Sequence, residues 1–178
     1  MQKNNIRLFG TLKVLCSAAI LTALTVVIAY LCKFLTVTDQ IRITFENLPI
    51  ILCGYLFGPF VGLATGLCAD LLSASLFYGV GGINPIITLG AGAVGFFAGI
   101  PYVKKPKLRL FFAVALAHII GNMIIKSAGF IIYYGTPFVG VLPRIPIYAV
   151  IAATEFVLLW FITKSKALAK AMGGKNDI

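Results

Sequence analysis

Apolar residues fill this chain in long runs, and the polar positions that separate them are few and closely grouped. A helix that crosses a membrane needs about 20 mostly apolar residues, fewer where neighbours shield its ends. On that rule the pattern predicts six helices, over residues 13–33, 45–58, 60–77, 85–100, 108–134 and 144–164. The separators are recognisable. Residues 36–44 are polar and carry Asp39 and Arg42. Gly58 and Pro59 form a strong breaker pair. The stretch 78–84 is glycine-rich and runs into Pro85, which suits the first turn of a helix. Residues 101–107 are basic, and residues 135–143 run from glycine to proline. The expected fold is all-α: one integral membrane domain spanning residues 1–178, a bundle of six transmembrane helices. The first apolar run, 12–35, is longer than the apolar region of a signal peptide and is expected to remain as a helix.

Composition agrees with this pattern. Hydrophobic residues make up 60% of the chain and charged residues 11%, against roughly 25% charged in a soluble domain. Lipid is therefore the solvent. The basic residues fall in three groups: Lys3, Arg7 and Lys13; Lys104, Lys105, Lys107 and Arg109; and Lys164, Lys166, Lys170 and Lys175. Basic loops stay on the cytoplasmic side, which puts both termini and 101–107 inside, with 36–44, 78–84 and 135–143 outside. The net charge of +10 does not point to nucleic acid. The cations sit at helix ends, where anionic lipid accounts for them, and are not interleaved with aromatics as in a nucleic-acid groove.

Little in the chain supports catalysis. Cys16, Cys32, Cys53 and Cys68 lie in apolar runs without a CxxC pair, as buried small hydrophobes do. Neither a GxxxxGK[ST] loop nor a GxSxG elbow occurs, and His118 is the single histidine. No catalytic residue, metal site or cofactor is expected, and energy for any transport must come from another subunit.

Ionisable residues inside spans are costly and usually face the bundle interior. Given the topology, each has a depth. Glu46 opens the outer end of the second helix, and Asp70 lies in the outer half of the third. Asn84 and Thr88 flank the outer start of the fourth. His118, Asn122 and Lys126 are four apart on the fifth and share a face, His118 near mid-depth. Arg144 and Tyr148 occupy the outer turns of the sixth, with Glu155 near its middle, while Arg42 stands at a helix mouth. The inner halves are apolar. This describes a cavity open to the outside and closed below, as in a small-molecule receptor and unlike a channel or proton relay. The alternative is that these groups pair as helix glue, with Glu155 and His118 a candidate pair. Arg42, Lys126 and Arg144 suit carboxylates, arginine in a bidentate manner. Asp70 and Glu46 suit an edge of adjacent N–H donors such as an aminopyrimidine. Phe45, Phe77, Tyr78 and Tyr148 can sandwich a flat ring or simply pack. A flat, donor-rich heterocycle with an anionic tail fits the set. On the first helix, Ala19 and Ala23 are small residues four apart that permit close helix approach. Gly62, Gly66, Ala69 and the glycine-alanine series from Gly90 to Gly99 are expected to serve internal packing.

The run Arg42-Ile43-Thr44-Phe45-Glu46-Asn47-Leu48-Pro49-Ile50 is followed by Leu56-Phe57-Gly58-Pro59, Gly62, Gly66 and Ala69-Asp70-Leu71. Asn84-Pro85, Thr88-Leu89-Gly90-Ala91 and Gly95-Phe96-Phe97-Ala98-Gly99 continue the pattern. Over residues 18–155 this resembles the substrate-binding S components of energy-coupling-factor (ECF) vitamin transporters, most of all their folate-specific members. The resemblance implies six helices in a prokaryotic cell membrane and an external vitamin site capped by 36–44 and 78–84. It implies partnership with a transmembrane coupling protein and two cytoplasmic ATPases, and it implies that Ala19 and Ala23 face the coupling protein. Folate is the implied substrate. Residue chemistry and resemblance together nominate Arg42, Phe45, Glu46, Asn47, Asp70, Tyr78, Asn84, Thr88, Asn122, Lys126, Arg144 and Tyr148 as ligand contacts. The alternatives are another vitamin such as thiamin or riboflavin, a membrane enzyme, or a structural assembly subunit.

Overall fold

The computed structural model describes residues 12–33, 36–38, 41–42, 44–79 and 82–165. Lys3, Arg7, Asp39, Lys166, Lys170 and Lys175 lie outside the described residues. The described chain is helical apart from one small hairpin. Helix α1 spans Leu12–Cys32, α2 Asn47–Phe57, α3 Pro59–Tyr78, α4 Pro85–Gly99 and α5 Pro106–Tyr134. A four-residue helix, α6 at Phe138–Val141, precedes α7 at Arg144–Lys164. Strands β1 (Thr36–Thr38) and β2 (Ile41–Arg42) pair antiparallel, with Thr36 opposite Arg42, where the sequence predicts only a polar loop.

Four segments are long and apolar enough to cross a membrane: Leu12–Cys32, Pro59–Phe77, Pro106–Tyr134 and Phe138–Lys164. The other two are shorter, 11 residues in α2 and 15 in α4. At 1.5 Å per residue they reach about 17 and 23 Å, less than the roughly 30 Å of hydrocarbon. Both are shielded by longer neighbours: α4 packs against α2, α3 and α5, and α1 packs across α2 and α3.

Local chemistry sets the helix ends. Gly58 adopts φ +101° between α2 and α3, a conformation open to glycine but strained for other residues, and Pro59 takes the first position of α3. Asn84 caps α4 by accepting from the backbone N–H of Ile86 at 3.0 Å and Ile87 at 3.3 Å. Gly135 closes α5 at φ +63°, its N–H turned back to the Phe130 carbonyl. Within α5, residues Ala117–Lys126 form a π-helix, whose N–H groups bond five residues back instead of four.

The small residues of α2, α3 and α4 let their backbones touch. A methyl group added at Gly62 would collide with the Gly95 carbonyl, and one at Gly95 with the Gly62 carbonyl. Ile50, Ile51, Val94, Ala98, Leu110, Ala113, Ala117 and Leu159 form the buried core around this contact. The outer faces are apolar too: Ile20, Leu76, Ile132, Val150 and Phe161 are all exposed. A lipid environment accommodates such a surface; water does not.

Candidate functional site

The helices meet unevenly at one end of the bundle. There α2, α4 and α7 begin, and α3 and α5 end. Because α2 and α4 are short, room remains above their first turns. A cavity of about 630 Å³ occupies that room, lined by Glu46 just before α2 and Ile50 of α2, Asp70, Ser73 and Phe77 of α3, Asn84 just before α4 and Ile87 and Ala91 of α4, Lys126, Phe130 and Tyr134 of α5, and Arg144 and Tyr148 of α7. Thr25 of α1 and the loop residues Thr44, Gly82 and Thr136 complete the wall.

Its polar groups are held in place by neighbours. The Thr88 hydroxyl donates to Asp70 Oδ2 at 2.7 Å, from α4 to α3. Thr44 Oγ1 accepts from the Glu46 backbone N–H at 3.2 Å, which fixes the start of α2, and the Glu46 carboxylate stands 3.8 Å from Lys126 Nζ. The N-terminal end of a helix carries partial positive charge, which favours an acidic residue there. Arg144 is 2% exposed. Its guanidinium lies 4.4 Å from the Phe130 ring centre and 5.2 Å from that of Tyr148, and Nη2 donates to the Tyr148 hydroxyl at 3.3 Å. Cation–π contacts of this kind strengthen when desolvated, so the fork is pre-positioned. The Thr25 hydroxyl donates to Leu21 O at 2.9 Å, which leaves only its acceptor capacity for the cavity.

The structure sorts the residues nominated from the sequence into three groups. Glu46, Asp70, Asn84, Lys126, Arg144 and Tyr148 line the cavity. Thr88 and Asn122 stand behind it. Thr88 anchors Asp70, while Asn122 Nδ2 donates to His118 Nδ1 at 3.1 Å, so that His118 Nε2 donates to Glu155 Oε2 at 2.7 Å. This buried triad, with Glu155 0% and His118 1% exposed, ties α5 to α7 beneath the cavity. Phe45 and Asn47 are elsewhere. Phe45 borders a small apolar groove with Pro146, Ile147, Val150, Ile151 and Thr154. Asn47 is fully buried, and its side-chain amide meets no protein partner among the described residues. The side chains of Arg42 and Tyr78 lie outside what the structure describes.

Sequence reasoning missed Phe130 and Tyr134 on α5, and Ser73 and Ala74 on α3. A signal existed. Positions 118, 122, 126, 130 and 134 continue one four-residue spacing, and 70, 73, 74 and 77 follow the helical face of Asp70. On α1, Ala19 and Ala23 are exposed and are not among the residues that line the cavity.

The chemistry available is recognition. On the cavity wall, two carboxylates can accept from N–H donors, two cations can meet anions, and four aromatic side chains offer faces to a flat group. No cluster of three potential metal ligands exists among the described residues. Residues 13–173 match the family described as "ECF transporter, substrate-specific component". Among solved structures the chain is similar to one described as "Crystal structure of FolT bound with folic acid". The identity is 25%, over 88% of this chain and 96% of that one, at a TM-score of 0.71. A search of curated proteins finds no match.

Proposed function

The chain belongs to the substrate-specific components of ECF transporters, and from that premise we propose that it is a high-affinity folate receptor serving an ATP-driven importer. Members of this family are transport subunits that bind a small-molecule vitamin for an ECF module; they are membrane proteins and not enzymes. On this proposal the chain crosses a prokaryotic cell membrane six times with both termini in the cytoplasm. It works with a transmembrane coupling protein and two cytoplasmic ATPases, which topple it to release the ligand.

The observation that carries the folate reading is the joint presence of Asp70 and Arg144 in one cavity, each pre-positioned. Asp70, steadied by Thr88, and Glu46 accept from the N–H edge of the pterin. Arg144, between Phe130 and Tyr148, and Lys126 meet the glutamate carboxylates, Arg144 in a bidentate manner. The flat ring stacks among Phe77, Phe130, Tyr134 and Tyr148. A cavity of about 630 Å³ falls in the range that encloses a ligand of this size. The similarity to FolT, a protein solved with folic acid, supports the same reading. Isothermal titration calorimetry on the purified chain tests it. Tight, saturable folate binding is expected. Tight binding of thiamin or riboflavin with no folate signal would replace the substrate and leave the receptor.

A further inference from the structure

At the end of the bundle opposite the cavity, α5 begins beside the end of α7. Lys107 Nζ lies 5.0 Å from the centre of the Trp160 ring and Lys164 Nζ 4.9 Å from it, so the two ammonium groups are no more than about 10 Å apart. Both lysines are exposed, as are Lys104 and Lys105 nearby in sequence. Arg109, two residues further along α5, is committed: its Nε donates to Pro101 O at 3.2 Å and its Nη2 to Tyr55 O at 3.0 Å.

None of the described carboxylates neutralises this cluster. Glu46 and Asp70 line the cavity at the other end. Glu155 is held by His118, nine residues before Lys164 and so about 13 Å away along the helix. Attraction to the indole explains why each lysine rests on the ring, but it brings two like charges to one residue and leaves both uncompensated. The pair is therefore open to an anion from outside the described residues. The surface beside the pair indicates its kind. One turn towards the bundle centre, Phe111 of α5 and Phe156 of α7 meet edge to face at 6.0 Å, and Phe111, Phe112 and Phe161 are exposed. A cationic head next to an apolar, aromatic flank matches a molecule with a phosphate and hydrocarbon tails. We propose that Lys107, Lys164 and Trp160 form a binding site for an anionic phospholipid, its phosphate held by the ammonium groups and its acyl chains along Phe111 and Phe156.

Trp160 is the only tryptophan, so the site carries its own reporter. The full chain is placed in phosphatidylcholine bilayers containing rising fractions of brominated phosphatidylglycerol or, separately, brominated phosphatidylcholine, and Trp160 quenching is followed. With about fivefold enrichment per lysine, equivalent to about 1 kcal/mol each, the anionic lipid should quench at roughly one twenty-fifth of the mole fraction. Lys107→Gln and Lys164→Gln should each reduce that preference about fivefold, with the quenching of each variant referred to its own Trp160 emission in pure phosphatidylcholine. Equal quenching by the two lipids in the native chain would overturn the proposal, as would a preference that survives in the double variant. Millimolar inorganic phosphate should leave the preference intact; if it abolishes the preference, the site takes a free anion and the lipid assignment fails.

Discussion

Asp70 and Arg144 face one cavity but are asked to hold opposite ends of the proposed ligand, and single substitutions separate them. Truncating one member of a hydrogen-bonded charge pair in a desolvated site costs roughly 2–5 kcal/mol, about thirty- to several-thousand-fold in affinity. Asp70→Asn should weaken folate and isolated pterin alike, whereas Arg144→Ala should weaken folate and spare pterin, as read by calorimetry. Thr88→Val removes the donor that holds Asp70. A hydrogen bond to a charged group is worth about 1.5–3 kcal/mol, so folate should bind at least about tenfold more weakly although residue 88 touches the ligand only through Asp70. The His118–Glu155 pair behaves differently because it lies under the cavity. Removing one member of a buried pair costs about 3–5 kcal/mol, so Glu155→Ala should lower the thermal unfolding midpoint sharply while the affinity of the protein that remains folded changes little. At this scale the charged residues were legible because an ionisable group inside an apolar run is expensive to keep, and binding or pairing offsets that cost. Phe45 and Asn47 were not, since a motif marks residues without saying which way they point, and Phe45 faces an apolar groove instead.

At the scale of elements, α4 and α5 are packed with almost no slack. A methyl group at Gly90 would come within 2.6 Å of Lys126 Cγ and 3.2 Å of the Gly121 carbonyl. Overpacking of this kind costs about 1–3 kcal/mol. Gly90→Ala should therefore lower the unfolding midpoint and, by pushing Lys126 away from Glu46, also weaken ligand binding; a midpoint that falls with unchanged affinity would separate packing from the site. The breaks at Gly58–Pro59, Asn84–Pro85 and Gly135 were legible because each carries its own backbone chemistry. The π-helical stretch of α5 was not: it is defined by which carbonyl each N–H selects, and Ala117–Lys126 has no breaker that announces the change. The hairpin at Thr36–Arg42 was read as loop because its strands are only three and two residues long, below the length at which alternation becomes a signal.

For the whole molecule, the expected orientation rests on where the lysines and arginines lie, and site-specific labelling checks it. A cysteine at Val139, 73% exposed, should react with an impermeant reagent added outside intact cells, and one at Lys105 should not; labelling of position 105 from outside would invert the depth of every polar residue in the bundle. Ala19 and Ala23 are exposed on α1. In cells that supply the ECF module, Ala19→Trp or Ala23→Trp should abolish uptake, since a large side chain blocks close helix approach, and leave ligand binding by the isolated chain nearly unchanged. The charge distribution made the membrane class legible, and the grouping of polar residues a cavity at one end of the bundle, whereas the ligand depends on how side chains from α2, α3, α5 and α7 converge, which no single stretch of sequence contains.

The formal charges on the cavity wall cancel. Glu46 and Asp70 balance Lys126 and Arg144 among the described lining residues, so these four side chains together contribute no net charge. On the folate proposal, a dianionic ligand adds two negative charges beyond what these four side chains balance. If loading and release occur on opposite faces of the bilayer, the loaded movement carries current and the empty return does not. Each elementary charge is worth about 2.3 kcal/mol per 100 mV, so an inside-negative membrane opposes delivery and assists nothing on the way back. The cost of accumulating the vitamin would then rise with membrane potential, and dissipating that potential with an ionophore, at constant ATP, should speed uptake.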